Sequence, residues 1–301
     1  PTLVRFVRSL AASGSAVLVP EIPEWRELLL APERAFDTLR SAIPTLAEQG
    51  DVAQGRIGAM GFSFAAPPVL LAGRDTDLAR HLKVVVSFGG YCNMERTLRF
   101  LFSGEHEWRG DRFMIEPDPY GRWIVGGNYL PRAEGHEEAE DVRAALMVLA
   151  KAAGDLQLPS WEAHHEVRKR DLEASLPPAR RDLFRAFAPP VGTPVPPDKV
   201  AELVPVLTRA VREVSPLFEI APLLADGLEV PARLIHGRQD RLLPFTETLR
   251  LAESLPPGSE VKVFLTGLFS HSRRDVRGSR AKELAERIRF LEMMSDVLGM
   301  L

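Results

Sequence analysis

One serine lies in a sequence context that could make it a nucleophile. Ser63 follows an apolar run and precedes residues of helical character, with Gly61 two positions before it and Ala65 two positions after it. A serine at the tip of a sharp strand-to-helix turn is held outward, and small residues at those two positions let the strand and the helix cross closely. The usual pattern has a glycine where Ala65 stands. Such pentapeptides are also common by chance, so the motif alone leaves an ordinary turn serine open.

Two further residues could complete a nucleophilic site around this serine. A serine hydroxyl is a weak nucleophile until a base removes its proton, and the base is more effective when a carboxylate orients it. Asp240 follows a predicted strand, and His271 follows the next strand in a loop that contains Gly267. Chemistry in doubly wound sheets gathers at the carboxyl ends of strands, so Ser63, Asp240 and His271 are predicted to meet there.

Other interpretations of these residues remain open. Asp240 could be a turn or helix N-terminal aspartate, and His271 could be a polar loop residue. Asp226 and Glu229 flank the start of the same strand and are weaker candidates for the acid. His236 stands at the end of that strand and is more typical of a structural residue than of a second base.

The hydrophobic pattern locates the elements that would position this site. Short apolar runs bounded by glycine or proline predict buried strands, and apolar residues at helical spacing predict helices. The predicted strands are 15–20, 56–62, 84–90, 231–237 and 261–265, and the predicted core helices are 1–10, 32–47, 63–72, 245–255 and 279–298. This alternation predicts a parallel sheet covered by helices.

The pattern changes between residues 92 and 226. Proline becomes frequent, no buried-strand run occurs, and the predicted helices are 139–153, 161–176 and 199–214. We therefore predict a mainly helical lid at 92–226, inserted into a core built from 1–91 and 227–301.

Four residues are candidates for contact with a substrate. Phe62 precedes the candidate nucleophile, and Tyr120, Arg122 and Trp123 place two aromatic rings and a guanidinium near a turn of the insert. The alternative for the insert residues is a packed turn with no role in binding.

Together these motifs resemble the α/β-hydrolase family. Members of that family carry nucleophile, acid and histidine in this order, and the acid often lies in a run like the H-G-x-x-D-x-x-x-P of residues 236–244. The resemblance implies a doubly wound, mostly parallel sheet with an inserted lid. It also implies a catalytic triad of Ser63, Asp240 and His271, with the backbone N–H of Phe64 as one donor to the oxyanion.

The activity that the resemblance implies is hydrolysis of a carboxylic ester of a small acyl substrate, as in esterases and lipases, through an acyl-enzyme and without a cofactor. A thioesterase or peptidase would use the same triad. A binding protein without catalytic activity on the same fold is the alternative from another class. The sequence leaves the oligomeric state open.

The resemblance also exposes a gap at the beginning of the sheet. The family sheet usually has eight strands, whereas five are predicted here, and the first strands are the ones without a counterpart. A second oxyanion donor follows the third strand of the family, so we expect it upstream of Pro1. Loss of one donor typically slows such a reaction by about 10²–10³-fold. We therefore expect the 301-residue chain to be inactive unless that part is supplied.

Composition excludes several classes of partner. A net charge of −3, from 38 basic and 41 acidic residues, gives no electrostatic footprint for nucleic acid. No apolar run is long enough to span a membrane. Cys92 is the single cysteine, which fits a reducing compartment and predicts a cytoplasmic location, although targeting residues upstream of Pro1 would change this. His164 and His165 are adjacent, which is the wrong spacing for a metal site on a helix, so no metal is expected.

Overall fold

The computed structural model describes residues 2–156, 158–267 and 280–301. His271 lies outside these ranges. Six strands are present in the described residues, and they form one sheet of four strands and one hairpin. The strands are β1 (Ile57–Phe62), β2 (Leu82–Phe88), β3 (Glu105–Trp108), β4 (Asp111–Met114), β5 (Ala232–Gly237) and β6 (Val261–Thr266).

The main sheet is parallel and has the strand order β1-β2-β5-β6. Its two central strands are nearly fully buried, as expected for strands that are covered on both faces. Val84, Val85 and Val86 of β2 each expose at most 1% of their surface, because helices pack on both sides of the sheet. The predicted α/β class with a mostly parallel sheet is confirmed.

Helices flank the sheet in the order that the alternation predicted. The helices that precede the insert are α1 (Thr2–Ala12), α2 (Pro23–Arg26), α3 (Pro32–Ala47), α4 (Ala66–Arg74) and α5 (Thr76–Ala79). Prolines begin α2 and α3 and occupy the first turn of α4, where N–H groups have no partner within the helix. The helices that follow the insert are α13 (Phe245–Ser254) and α14 (Arg280–Leu298).

The chain between β2 and β5 is mainly helical and has its own hydrophobic core. Its helices are α6 (Met94–Ser103), α7 (Pro119–Tyr129), α8 (Glu140–Leu156), α9 (His164–Ser175), α10 (Pro178–Phe187), α11 (Pro197–Val214) and α12 (Ile220–Leu223). Buried aromatic residues of this core include Phe100, Phe102, Trp123, Phe184 and Phe187. The boundaries at 92 and 226 stay a prediction, as does the term lid, which we use below for this segment.

The predicted strand at 15–20 is wrong. No strand is assigned there, and Val17, Leu18 and Val19 expose 37%, 45% and 54% of their surface. These residues line a groove of about 710 Å³ whose opposite wall includes Met60 and Phe62 of β1. The groove separates the segment from the sheet, so it has no neighbouring strand with which to form a ladder.

The mainly helical insert also contains a short hairpin, which its sequence pattern does not reveal. The hairpin of β3 and β4 pairs Glu105 with Met114 and Trp108 with Asp111. Its strands are short, charged and at least partly exposed, so they lack the apolar run by which a buried strand is recognised. The turn passes through Arg109 and Gly110, both of which have positive φ.

Candidate active site

Ser63 occupies the turn between β1 and α4, and its backbone is in an unusual conformation. Phe62 ends the strand in an extended conformation, and Ser63 has a φ of 53°, in the left-handed region that non-glycine residues seldom adopt. The residues Ser63–Ala65 form a single 3-10 turn, and α4 begins at Ala66. The predicted start of this helix at Ser63 is therefore three residues too early. Such a conformation costs about 1–3 kcal/mol and is typical of functional sites.

Close contact between strand and helix explains why Gly61 is a glycine. A β-carbon at Gly61 would lie 2.2 Å from the carbonyl oxygen of Ala65 and 2.6 Å from its carbonyl carbon. These are backbone atoms, so a side chain would force the turn apart. The small residue predicted at this position is therefore required by the approach of the two elements.

Asp240 lies in the turn that follows β5 and is 2% exposed. Its Oδ1 atom accepts hydrogen bonds from the backbone N–H groups of Leu242, at 2.8 Å, and Leu243, at 3.0 Å. Two donors to one oxygen stabilise the ionised form of a carboxylate and fix its orientation. The sheet therefore carries a rigidly held carboxylate at the same edge as Ser63, because the carboxyl ends of parallel strands share one edge.

His236 is fully buried at the end of β5, where it braces the same turn. Its Nε2 atom lies 2.9 Å from the carbonyl oxygen of Leu243 and 3.6 Å from Oδ2 of Asp240. A carbonyl can only accept, so Nε2 donates to it, and Nδ1 lies 2.6 Å from the hydroxyl of Thr248. Through these contacts His236 stabilises the turn that carries Asp240, which is a structural role.

The lid is fastened directly to the Asp240 turn. The backbone N–H of Asp118 donates to the carbonyl of Arg241 at 2.7 Å. The guanidinium of Arg241 returns a bond to the carbonyl of Glu116 at 2.7 Å and pairs with the Glu116 carboxylate at 2.8 Å. The same guanidinium lies over the ring of Trp161. Movement of the lid at this point would therefore move the turn that holds Asp240.

A pocket of about 250 Å³ opens beside Ser63. It lies between the nucleophile turn, the lid helices α6 and α7, residues 25–30, and the turn after β5. The residues that line it include Phe64, Leu101, Tyr120, Ile124 and Leu242. Among the described residues that line it, none carries a charge. Ser63 thus faces an apolar space large enough for part of a small molecule.

One wall of this pocket is held by contacts that no sequence motif indicates. Leu28 has a φ of 59°, and the side-chain amide of Asn128 clamps its neighbourhood. Asn128 donates to the carbonyl of Leu28 at 3.0 Å and accepts from the N–H of Leu30 at 2.9 Å, while the Tyr129 hydroxyl donates to the carbonyl of Leu30. These contacts join residues about a hundred positions apart, so no local pattern could have revealed them.

The four predicted substrate contacts fall into two groups. Phe62 and Tyr120 line the pocket. Arg122 and Trp123 do not, since both are buried inside the lid. Arg122 donates to the carbonyls of Leu101 and Phe187, and burial lowers the pKa of its guanidinium to about 10. The candidate site therefore retains Phe62 and Tyr120 and leaves out Arg122 and Trp123.

The remaining predicted participants differ in how far they can be placed. The side chain of Phe64 packs against the rings of Tyr91 and Phe218, and its backbone N–H as an oxyanion donor stays a prediction. His271 as the base also stays a prediction, because it lies outside the described residues. Cys92 is buried, and burial raises the pKa of its thiol to about 12, so it does not compete as a nucleophile at neutral pH.

The described residues contain neither a cluster of metal ligands nor a helix that could span a membrane. Nowhere in that part of the chain do three or more histidine, cysteine or carboxylate side chains come together as a metal site would require. No helix in the described ranges combines the length and the apolar character needed to cross a membrane.

Solved structures share this architecture at low sequence identity. A provisionally named hydrolase from Legionella pneumophila is 13% identical, with a TM-score of 0.50 over 90% of this chain and 64% of its own. The rice cell wall degrading esterase LipA from Xanthomonas oryzae is 15% identical, with a TM-score of 0.45 over 89% of this chain and 65% of its own. An acylaminoacyl peptidase from Pyrococcus horikoshii is 17% identical, with a TM-score of 0.41 over 91% of this chain.

The chain spans less than a third of the length of the acylaminoacyl peptidases, from 27% to 30%. No protein-family model and no curated protein matches it in sequence. At these identities the likeness establishes the fold alone. The parallel sheet with an inserted helical segment, and the likeness to the Legionella structure, show that the chain has the α/β-hydrolase fold, as its motifs had predicted.

Proposed function

We propose that this protein is a serine hydrolase that cleaves carboxylic esters through an acyl-enzyme. The observation that carries the proposal is the conformation of Ser63. A non-glycine residue with left-handed backbone at the strand-to-helix turn, facing an apolar pocket, is the arrangement that a nucleophilic serine needs. The buried Asp240 at the same sheet edge supports it, because a triad needs a carboxylate that is held in place.

In the proposed reaction the Oγ atom of Ser63 attacks the ester carbonyl carbon while His271 takes the hydroxyl proton. Asp240 orients His271, and the N–H of Phe64 donates to the oxyanion that forms. Collapse of this intermediate breaks the bond to the alcohol, which leaves with the proton from His271. Water then attacks the acyl-enzyme by the same route and releases the carboxylic acid and Ser63.

An ester is favoured over other acyl substrates by the pocket beside Ser63. Its apolar lining suits a hydrocarbon acyl group, whereas a peptide would bring polar amides that need hydrogen-bond partners. Thioesters remain the second candidate, because they present the same acyl group. Hydrolysis of p-nitrophenyl esters, acyl thioesters and short peptides by the full-length protein distinguishes the three, and cleavage of peptides alone would contradict the ester assignment.

The role of Asp240 is tested by exchanging it for asparagine. Asp240→Asn keeps the oxygen that accepts from Leu242 and Leu243 but removes the charge, and we expect the kcat of ester hydrolysis to fall about 10⁴-fold. Asp226→Asn is the matched control, because that carboxylate is exposed and pairs with Arg74. Equal rates for the two variants would show that Asp240 is not the acid.

A further inference from the structure

The pocket beside Ser63 has a chemistry that restricts what it can accept. In the described part of the chain, the lining residues with polar side-chain atoms are Ser63, Thr97, Trp25 and Tyr120. The hydroxyl of Thr97 already donates to the carbonyl of Asn93 at 2.9 Å. A charged group placed in such a space would lose its hydration without gaining a partner of opposite charge. The ligand for this pocket is therefore uncharged and mainly hydrocarbon.

The volume of the pocket limits the length of that hydrocarbon. Liquid water occupies about 30 Å³ per molecule, and a methylene group is similar in size. A space of about 250 Å³ then holds roughly eight such groups. Residues 25–30 lie on one side of this space and α6 and α7 on the other, and the pocket is partly open to solvent, so the further carbons of a longer chain would gain no burial there.

Gly121 keeps this space open. It lies in α7, and a β-carbon there would be 2.4 Å from Cδ2 of Leu101 and 3.2 Å from Cδ2 of Leu242. Both leucines line the pocket. Leu101 is only 3% exposed, so other side chains surround it, and the pocket is the free space into which it can be pushed.

We propose that this pocket binds the acyl chain of an ester of medium length, up to about eight carbons, and that Gly121 sets its capacity. The inference rests on the proposed function and narrows its substrate class. Each methylene buried up to that length adds to the binding energy, so kcat/KM should rise up to about fourfold per carbon and then level off or fall.

The test is a series of p-nitrophenyl esters from acetate to dodecanoate, hydrolysed by the full-length protein and its variants. We expect the highest kcat/KM between hexanoate and octanoate. Gly121→Ala should reduce kcat/KM for p-nitrophenyl octanoate at least tenfold. It should change kcat/KM for p-nitrophenyl acetate by less than twofold. Gly154→Ala is the matched control, because it also exchanges a helical glycine but its β-carbon would meet nothing within 4 Å. Thermal unfolding of both variants shows whether they are folded.

The same pocket is tested without catalysis by calorimetric titration with octanamide and acetamide, which are neutral and carry no ester. Octanamide should bind the Ser63→Ala protein, acetamide should not, and Gly121→Ala should weaken octanamide at least tenfold. If p-nitrophenyl acetate is hydrolysed but kcat/KM does not depend on chain length, the chain-length inference is wrong while the ester assignment stands. The same conclusion follows if Gly121→Ala slows the hydrolysis of all the esters equally. If no ester is hydrolysed but octanamide binds as described, the proposed function fails and the pocket assignment stands.

Discussion

The two sides of β1, the strand that leads to Ser63, are built differently. On its inner side every residue of β1 pairs with β2, and beyond the end of the strand the ring of Phe64 packs against Tyr91 and against Phe218 of the lid. On its outer side no strand of the described residues pairs with β1. A groove of about 710 Å³ lies there, bordered by residues 15–20.

This difference shows which contacts support the candidate site. On the inner side, short hydrogen bonds join the lid to the Asp240 turn, and the Phe64 ring of the nucleophile turn packs against Tyr91 and Phe218. The outer side contributes partial contacts, such as the edge-to-face pair of Phe6 and Phe62 with ring centres 5.9 Å apart. We therefore expect stability and geometry at Ser63 to depend mainly on the inner side.

The largest expected effect comes from removing a ring on the inner side. Phe218 is fully buried against Phe64, Tyr91 and Tyr129, so Phe218→Ala should lower the free energy of unfolding by about 3–5 kcal/mol. Urea unfolding followed by circular dichroism measures this change. The matched exchange on the outer side, Phe6→Ala, should cost about 1 kcal/mol or less, because Phe6 is only half-buried. Equal losses would remove the distinction between the two sides.

A smaller effect is expected from pH, at the contact between the hairpin and α13. His106 lies among the rings of Phe113 and Phe245, and burial, with a lesser contribution from nearby His236, lowers its pKa to about 4. The unfolded chain binds a proton at this histidine near its ordinary pKa of 6.5, whereas the folded protein does so only near pH 4. The contribution of neutral His106 to stability is therefore complete above about pH 6.5 and decreases as the pH falls toward 4.

Urea unfolding at pH 7, 5.5 and 4.5 measures this decrease, and His106→Gln should make the pH profile flatter over that interval. If the free energy of unfolding of His106→Gln depends on pH as steeply as that of the unchanged protein, groups other than His106 cause the decrease.

The sequence predicted those elements whose signal is local. The valine run of β2 and the apolar run of β5 are buried on both faces, and their patterns predicted them correctly. The run at 15–20 has the same character, yet a strand also needs a neighbour, which no pattern within the run can supply. The hairpin at 105–114 is the reverse case. Its two strands are neighbours in the sequence, but their residues are mostly polar, so no apolar run predicts them.

The site was predictable to a similar extent. The positions of Ser63 and Asp240 at the ends of parallel strands follow from motif and alternation, and the structure adds the positive φ and the buried hydrogen bonds. The clamp of Asn128 on residues 28–30 and the role of Gly121 depend on contacts across the fold, so they could not be predicted. The participation of His271 stays a prediction from its place in the sequence.

The most direct test of the central claim is covalent labelling of Ser63 by a fluorophosphonate probe. Trypsin should release residues 57–74 as one peptide, in which Ser63 is the sole hydroxyl-bearing residue. We predict that this peptide from the folded, full-length protein gains the mass of the probe and that Ser63→Ala abolishes the labelling. An unlabelled 57–74 peptide, or labelling that survives Ser63→Ala, would contradict the account and favour a binding protein on the α/β-hydrolase fold.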